Sequence, residues 1–186
     1  MFKPIIIWLL LQCAIVNAQD LELGLRIESQ GLNRNFSNGN KANFEYLLIP
    51  TCIQLNLSYY PFKKISIEGR FGREFFLENY TGFEYGLFTK YFFTGAFYLT
   101  GGVAGHSNEG GSGGIYEGSS NNSFIMPAIG LGFKPFNHTS FELMYQNTGN
   151  KIIGSSWQLG PNGEIIIVKE KLEWIVKLGI VLGWTL

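Results

Sequence analysis

The sequence contains few of the residues on which enzymes and disulfide-rich proteins depend. Its 186 residues include two cysteines and two histidines, and charged residues make up 15% of it. Cys13 lies in the N-terminal apolar segment, so an exported chain keeps only Cys52, which cannot form an intramolecular disulfide. Neither His106 nor His138 has an acid or nucleophile at a spacing that indicates a triad or a metal site. We therefore expect no enzymatic activity, no cofactor and no metal, and we interpret both histidines as solvated loop residues.

Long apolar runs are also absent beyond the N-terminus, which excludes a later transmembrane helix. Residues 5–16 are apolar except for Gln12, they follow Lys3, and Ala18 offers a cleavage position before residue 19. We expect residues 1–18 to be a cleaved signal peptide and residues 19–186 to form one domain. The full chain has 14 basic and 14 acidic residues. Loss of Lys3 leaves it nearly neutral, so no electrostatic feature predicts nucleic acid as a partner.

A long, strict alternation at the C-terminus is the strongest pattern present. Every even position of residues 172–186 is apolar, whereas odd positions carry Glu173, Lys177 and Gly179 among others. A period of two is the side-chain period of a β-strand. A strand with one fully apolar face and a tryptophan near each end is typical of a bilayer-spanning strand, which is apolar toward lipid and has aromatic girdles.

Seven further segments alternate in the same way: 21–28, 52–59, 65–71, 83–91, 97–104, 125–134 and 140–146. The connections after the second, fourth and sixth are short, whereas residues 30–43 and 106–122 indicate long loops. Outer-membrane barrels show this asymmetry, with short periplasmic turns and longer outer loops. We predict an all-β, eight-stranded antiparallel up-and-down transmembrane β-barrel.

Aromatic residues are predicted to form two belts around this barrel, as amphipathic rings do at membrane interfaces. One belt, at the short-turn end, comprises Tyr59, Tyr60, Phe62, Tyr91, Phe92, Phe93, Phe133, Phe136 and Trp184. The other comprises Phe44, Tyr46, Phe75, Phe83, Tyr145 and Trp174.

Segment 127–133 (PAIGLGF), followed by a turn and by Phe141, Glu142 and Leu143, resembles the small eight-stranded outer-membrane β-barrels of Gram-negative bacteria. These are the OmpA/OmpX-like proteins and the broad outer membrane protein beta-barrel domain family. The resemblance covers the mature chain and rests on alternation and on the placement of glycines and aromatics. It implies integration in the outer membrane, contact with its lipid, and assistance from the barrel-assembly machinery. The family usually ends in an aromatic residue, whereas this chain ends in Leu186, two residues after Trp184.

The polar faces of the predicted strands carry charges of both signs. The acids are Glu22, Glu28, Glu68, Glu84, Glu142 and Glu173, and the bases are Arg26, Arg70, Lys90, Lys134 and Lys177. Eight strands enclose an interior that side chains just fill, and buried charges must be paired. We therefore favour an interior plugged by charge pairs.

Two alternatives stay open at this point. Small residues on the fifth and sixth strands (Gly102, Ala104, Ala128, Gly130 and Gly132) allow a narrow channel for small solutes. Alternation alone does not say which face is inside, so a secreted lipocalin-like binder of small ligands is the second alternative. The aromatic belts, and the charges opposite the apolar faces, favour lipid outside.

The segment before the last strand predicts a hairpin that protrudes beyond the membrane. Residues 152–159 and 164–171 flank an Asn162-Gly163 turn. Ile165, Ile166, Ile167 and Val168 form an unusually apolar run for such a place. They either pack against neighbouring strands or bind an extracellular protein by strand addition. Our leading interpretation of function is a structural or surface-binding, adhesion-like role.

Overall fold

The computed structural model describes residues 21–38, 44–77, 80–109, 123–159 and 161–186. The expected signal peptide at residues 1–18 and most of the loop at 106–122 lie outside them. Eight antiparallel strands are formed: β1 (Leu21–Phe36), β2 (Glu45–Phe62), β3 (Ile65–Leu77), β4 (Tyr80–Phe92), β5 (Phe97–Asn108), β6 (Ser123–Phe136), β7 (Thr139–Leu159) and β8 (Ile165–Thr185). Each pairs with its neighbours in sequence, and β1 pairs with β8, which closes the barrel. The predicted fold class is confirmed.

Within the described ranges, no helix is long and apolar enough to cross a membrane.

The predicted inward and outward faces are confirmed over most of the barrel. On β6, for example, Ile129 and Leu131 are exposed outward, whereas Ala128 and Gly130 are buried inward. The outer wall is therefore an apolar band, and the polar faces line the interior, which we call the lumen. A lipocalin-like binder needs the opposite arrangement, so this alternative does not fit the structure.

The short connections lie together at one end of the barrel, which we call the turn end. β2 ends at Phe62 and β3 begins at Ile65, whereas β6 ends at Phe136 and β7 begins at Thr139. The opposite end, where β7 and β8 are longest, we call the loop end.

β1 is longer than the sequence predicts. The predicted loop 30–43 is wrong up to Phe36, because β1 continues alongside β8 as far as the pair Phe36 and Glu170. The backbone N–H of Ser37 then donates to the carbonyl of Lys169 at 2.9 Å. The β8 partner, which itself extends past the barrel, holds these polar residues in a strand.

A β-bulge at Glu173 breaks the alternation of β8. Asn33 of β1 pairs with Trp174, but the next residue, Arg34, pairs with Leu172, so Glu173 is an extra residue. Leu172 is consequently buried inside the barrel, and its predicted place on the lipid face is wrong. We call the part of the barrel between the bulge and the turn end the region below the bulge, and the part toward the loop end the region above it. In β8, even positions face outward below the bulge and odd positions face outward above it.

β7 is irregular at the same height. Asn147 pairs with Trp174 and Lys151 with Leu172, so β7 has extra residues opposite the bulge of β8. Gly149 and Asn150 there adopt left-handed backbone conformations, with φ of 62° and 60°. Glycine and asparagine are the residues that tolerate this conformation best. Above this point residues 151–159 and 165–172 form an extension that we call the ribbon. Residues 165–168 pair with β7 alone, whereas residues 170–172 also pair with β1.

The lumen changes character near the bulge. Toward the loop end its buried side chains are mainly apolar or aromatic and include Leu32, Phe76, Tyr80, Phe124, Ile153 and Leu172. The outward side chains become polar, since Glu173 accepts hydrogen bonds from the side-chain amides of Asn33, at 2.6 Å, and Asn35. The charged part of the lumen therefore occupies the region between this apolar layer and the turn end.

Candidate functional sites

Glu142 of β7 is the centre of one buried ion-pair network. Its Oε1 lies 2.7 Å from Arg26 Nη2 and 2.9 Å from Arg70 Nη2. Arg26 projects from β1 and Arg70 from β3, which is opposite β7 in the barrel, and all three side chains are almost completely buried. Pairing across the lumen offsets the cost of removing these charges from water.

Glu68 of β3 is satisfied by four donors. Arg70 Nε and Lys90 Nζ each lie 2.6 Å from a Glu68 oxygen. Ser58 Oγ donates to it at 2.9 Å and Asn56 Nδ2 at 3.1 Å. This carboxylate joins β2, β3 and β4 through side chains that alternation places on one face.

Lys177 of β8 forms a second layer nearer the loop end. Its Nζ lies 3.3 Å from both Glu28 Oε2 and Glu74 Oε2, and it also bonds Glu84. The other oxygen of Glu28 lies 2.5 Å from Arg26 Nε, so Glu28 connects the two layers. Sequence reasoning missed Glu74, because the third alternating segment ends at residue 71, whereas β3 continues to Leu77.

Aromatic side chains narrow the turn end of the lumen. Tyr60 packs against Phe92 with ring centroids 6.3 Å apart, and Phe92 against Tyr98 at 5.0 Å. Tyr60 donates to Glu22 at 3.2 Å, and Lys134 Nζ lies 2.6 Å from the same carboxylate. The predicted place of Tyr60 and Phe92 in an outer belt is therefore wrong. Both rings point inward, where their partners are.

Small residues on β5 and β6 make room for rings rather than leaving a passage. A Cβ at Gly132 would lie 2.0 Å from the Tyr98 ring, and one at Gly102 would lie 2.8 Å from the Phe88 ring. The Arg70 guanidinium lies over Phe88, 3.8 Å from the ring centroid. At these positions the space that suggested a channel holds aromatic side chains.

The predicted lumen charges are placed inside, with one exception. Glu173 is wrong as a lumen residue, because the bulge turns it to the outer surface beside Asn33 and Asn35. The interpretation of His106 as a solvated loop residue is also wrong. It lies in β5, is buried, and stacks on Tyr80 with centroids 4.1 Å apart. His138 lies in the β6–β7 turn, with its Nδ1 2.9 Å from the Gly183 carbonyl.

The ribbon exposes part of the predicted apolar run. Ile165 and Ile167 are 70% and 66% exposed on the outward face, and Leu159, which pairs with Ile165, is 68% exposed. Ile166 is 41% exposed. Val168 is only 2% exposed, so its predicted exposure is wrong, because the reversed alternation above the bulge turns it inward.

Comparison with known proteins identifies the fold. No family profile matches the sequence, and no curated protein matches it. Among solved structures, the outer membrane protein OprG of Pseudomonas aeruginosa is similar, with a TM-score of 0.52 at 13% identity over 90% of this chain and 97% of that one. This chain has the fold of the small eight-stranded outer-membrane β-barrels.

Other barrels of this kind also resemble the chain. The N-terminal barrel domain of Pseudomonas aeruginosa OprF has 14% identity over 87% of this chain and 97% of that one, with a TM-score of 0.47. Ail, the attachment invasion locus protein of Yersinia pestis, was solved with a heparin analogue; it has 16% identity over 89% and 99% of the two chains, with a TM-score of 0.46. At sequence identities this low, the similarity concerns the fold alone.

Proposed function

We propose that the protein is an integral outer-membrane barrel with a closed lumen, and that it binds an extracellular protein through the ribbon. The observation that carries this proposal is the ribbon's combination of exposed isoleucines and strand edges that no other described strand pairs with. Catalysis has no part in it.

The outer wall supports integration in the outer membrane. Strands of this barrel expose leucine, isoleucine and phenylalanine outward at mid-height, including Leu55, Phe71, Leu131 and Leu178. Such a band is costly in water and is matched by lipid chains. Phe44 stacks on Trp174 at 5.3 Å, which places aromatic rings at the loop-end border of the band. The barrel-assembly machinery would insert the chain.

A closed lumen is supported by the charge network and by the rings beside it. Glu142 of β7 pairs across the lumen with Arg70 of β3, on the opposite side of the barrel, and also with Arg26 of β1. Tyr98 and Phe88 fill the space beside the glycines. Conductance in planar bilayers tests this directly. We expect no discrete channel events from the folded protein; reproducible events that respond to solute size would instead favour the narrow channel.

The ribbon has the features of a site for strand addition. β6 pairs with β7 only as far as Ala128 with Gln146, so among the described strands residues 151–159 of β7 pair with β8 alone. Residues 165–168 of β8 likewise pair only with β7. An extended segment of another protein could hydrogen-bond to either edge, and Ile165 and Ile167 would give it an apolar contact.

The test replaces the outward isoleucines. We expect Ile165→Lys with Ile167→Lys to abolish adhesion of cells that display the protein, because lysines on an edge block strand addition. Both side chains are exposed, so the barrel should still fold and shift its gel mobility on heating. Glu164→Lys in the adjacent turn changes the net charge by the same two units and should leave adhesion unchanged.

Two outcomes would contradict this assignment. If the double variant fails to fold, the isoleucines serve internal packing. If it folds and adheres like the wild type to cells, to matrix proteins and to other bacteria, the ribbon is not the binding surface.

A further inference from the structure

The charges buried between the turn end and the bulge do not balance. In this part of the described lumen the buried bases are Arg26, Arg70, Lys90 and Lys177, and the buried acids are Glu28, Glu68, Glu74, Glu84 and Glu142. The pair of Glu22 and Lys134 at the turn end is balanced in itself. One negative charge is therefore in excess. It lies in the layer of Lys177, because Glu28 also pairs with Arg26 and Lys177 is then the one base for both Glu74 and Glu84.

Cys52 lies in the same layer. Its sulfur and one carboxylate oxygen each of Glu74 and Glu84 all lie within 4.8 Å of one another, and the three side chains are buried. The register explains the arrangement, because Cys52 of β2 pairs directly with Glu74 of β3, and Gly72 of β3 pairs with Glu84 of β4. Three neighbouring strands thus present one sulfur and two oxygen ligands to one point.

Polar atoms without partners surround this point. Tyr80 is completely buried, and its hydroxyl makes no hydrogen bond within the described part of the chain. It lies on the inward face of β4, four residues before Glu84, and the residue midway between the two, Gly82, pairs with Glu74. The side-chain amide of Gln30, directly opposite Lys177 in the register, is likewise buried and unpaired at both atoms. Buried polar groups are nearly always satisfied, so these atoms point to an occupant.

We propose that Cys52, Glu74 and Glu84 bind one divalent transition-metal ion of the zinc class. A thiolate together with carboxylates selects a borderline metal over magnesium or calcium. The ligand atoms must close to about 3.5 Å from one another to surround such an ion, given metal–ligand distances of about 2.0–2.3 Å. The Tyr80 hydroxyl, the Gln30 amide oxygen or a water molecule supplies the fourth position.

The ion corrects the charge imbalance completely. Without it, the excess carboxylate charge of the layer must be neutralised by a proton, and Cys52 is a thiol. Binding displaces both protons, so the dication is matched by the thiolate and by the freed carboxylate charge. Lys177 then keeps its ion pair with Glu28 Oε2, an oxygen that has no other partner in the described structure.

Because the lumen is closed, the ion must enter during folding, and the experiment is designed accordingly. The mature chain is refolded in detergent with Co²⁺ or with a chelator, passed over a desalting column, and analysed for bound metal and for absorption. We expect one cobalt ion per chain, a thiolate-to-cobalt charge-transfer band, and a higher unfolding temperature than in the chelator-treated sample.

The variants separate this site from adventitious binding. Cys52→Ala should lose the charge-transfer band and retain at least about tenfold less metal, since even residues that only support metal ligands change affinity by 10–100-fold. Glu84→Gln should retain less metal while keeping a weakened thiolate band. Glu164→Gln, in the exposed β7–β8 turn, should behave like the wild type.

The proposal is overturned if wild-type protein refolded with cobalt retains none of it, or if Cys52→Ala retains as much as the wild type. In either case Lys177, Arg26 and a proton shared among the carboxylates neutralise this layer. Heat-modifiable gel mobility of each variant shows that the barrel has formed, so a failure to fold is recognised before metal is measured.

Discussion

The barrel below the bulge and the extension above it are built from the same strands in opposite ways. Below the bulge, Leu178 and Ile180 of β8 face outward and Lys177 faces the lumen. Above it, Lys169 faces outward and Val168 faces inward. The region below the bulge is therefore polar inside and apolar outside. The base of the region above the bulge has the reverse arrangement, apolar inside and polar outside, as in a water-soluble protein.

This difference shows where the surroundings of the chain change. A polar lumen inside an apolar wall is stable only when lipid covers the wall, because backbone and side-chain polar groups must be satisfied internally. An apolar layer inside a polar wall is what water requires. The reversal occurs beside Trp174, so its aromatic ring lies at the border that amphipathic rings prefer.

Removing a charge from the lower lumen should have the largest effect. Arg26→Met leaves Glu142 and Glu28 without the guanidinium that bonds both. Breaking a buried pair on one side typically costs about 3–5 kcal/mol. We expect a decrease of that size in the free energy of unfolding, measured by urea titration in lipid vesicles. Lys169→Met, an exposed base of the ribbon, is the matched control and should change stability by less than about 1 kcal/mol. A small effect of Arg26→Met would mean that water enters the lumen and solvates the acids.

Arginine substitutions at outward-facing positions should have the next largest effect, and this effect should differ between the two regions. Leu178→Arg places a charge in the lipid-facing band, where it costs about 2–4 kcal/mol at the bilayer midplane. Ile167→Arg makes a comparable exchange on the outward face of the ribbon and should be nearly neutral. Folding yields and unfolding free energies in the same vesicles measure both. Equal losses would mean that the ribbon also contacts lipid.

Gly179 is not a suitable control for this experiment, although it neighbours Leu178 and faces the lumen. A Cβ there would lie 2.9 Å from Arg26 Nη2, so an arginine at Gly179 would both crowd and repel that guanidinium. The comparison of two outward positions avoids this second effect.

Single cysteines should report the orientation of the two ends through their accessibility. In a Cys52→Ser background, Asn162→Cys lies in the exposed β7–β8 turn and Lys63→Cys in the exposed β2–β3 turn. We expect an impermeant maleimide to label residue 162 on intact cells and residue 63 only after the outer membrane is permeabilised. Ser112→Cys in the β5–β6 connection should label like residue 162, and Asn137→Cys like residue 63. The reverse pattern would place the ribbon in the periplasm.

The sequence predicts the lower region well, because one physical rule governs it. A strand between lipid and a packed lumen must alternate without interruption, so strand number, order and faces follow from the period of two. The lumen positions of Arg26, Glu68 and Glu142, for instance, are all predicted correctly. Which acid meets which base depends on register and barrel closure, and alternation alone does not contain this information.

The upper region is predicted less well, because its residues break that rule. Glu173 has the correct parity for a lumen residue, but as the extra residue of a bulge it lies outside. The parity of Leu172 and Val168 is reversed for the same reason. β1 beyond Gln30 is rich in asparagine, which indicates a loop, yet pairing with β8 holds it as a strand. Tertiary pairing overrides local preference at each of these positions.

The bulge at Glu173 also separates the spacing requirements of the two parts of β8. The extra residue reverses which positions face inward and which face outward. The residues above the bulge therefore need not follow the alternation of apolar and polar residues that the barrel requires below it. Hairpins of different length or character can therefore be exchanged at this joint without altering the spanning segment. For protein engineering, the tip of the ribbon between Leu159 and Ile165, beyond the last pair of β1 with β8, is a natural insertion point for a foreign epitope on a barrel of unchanged register.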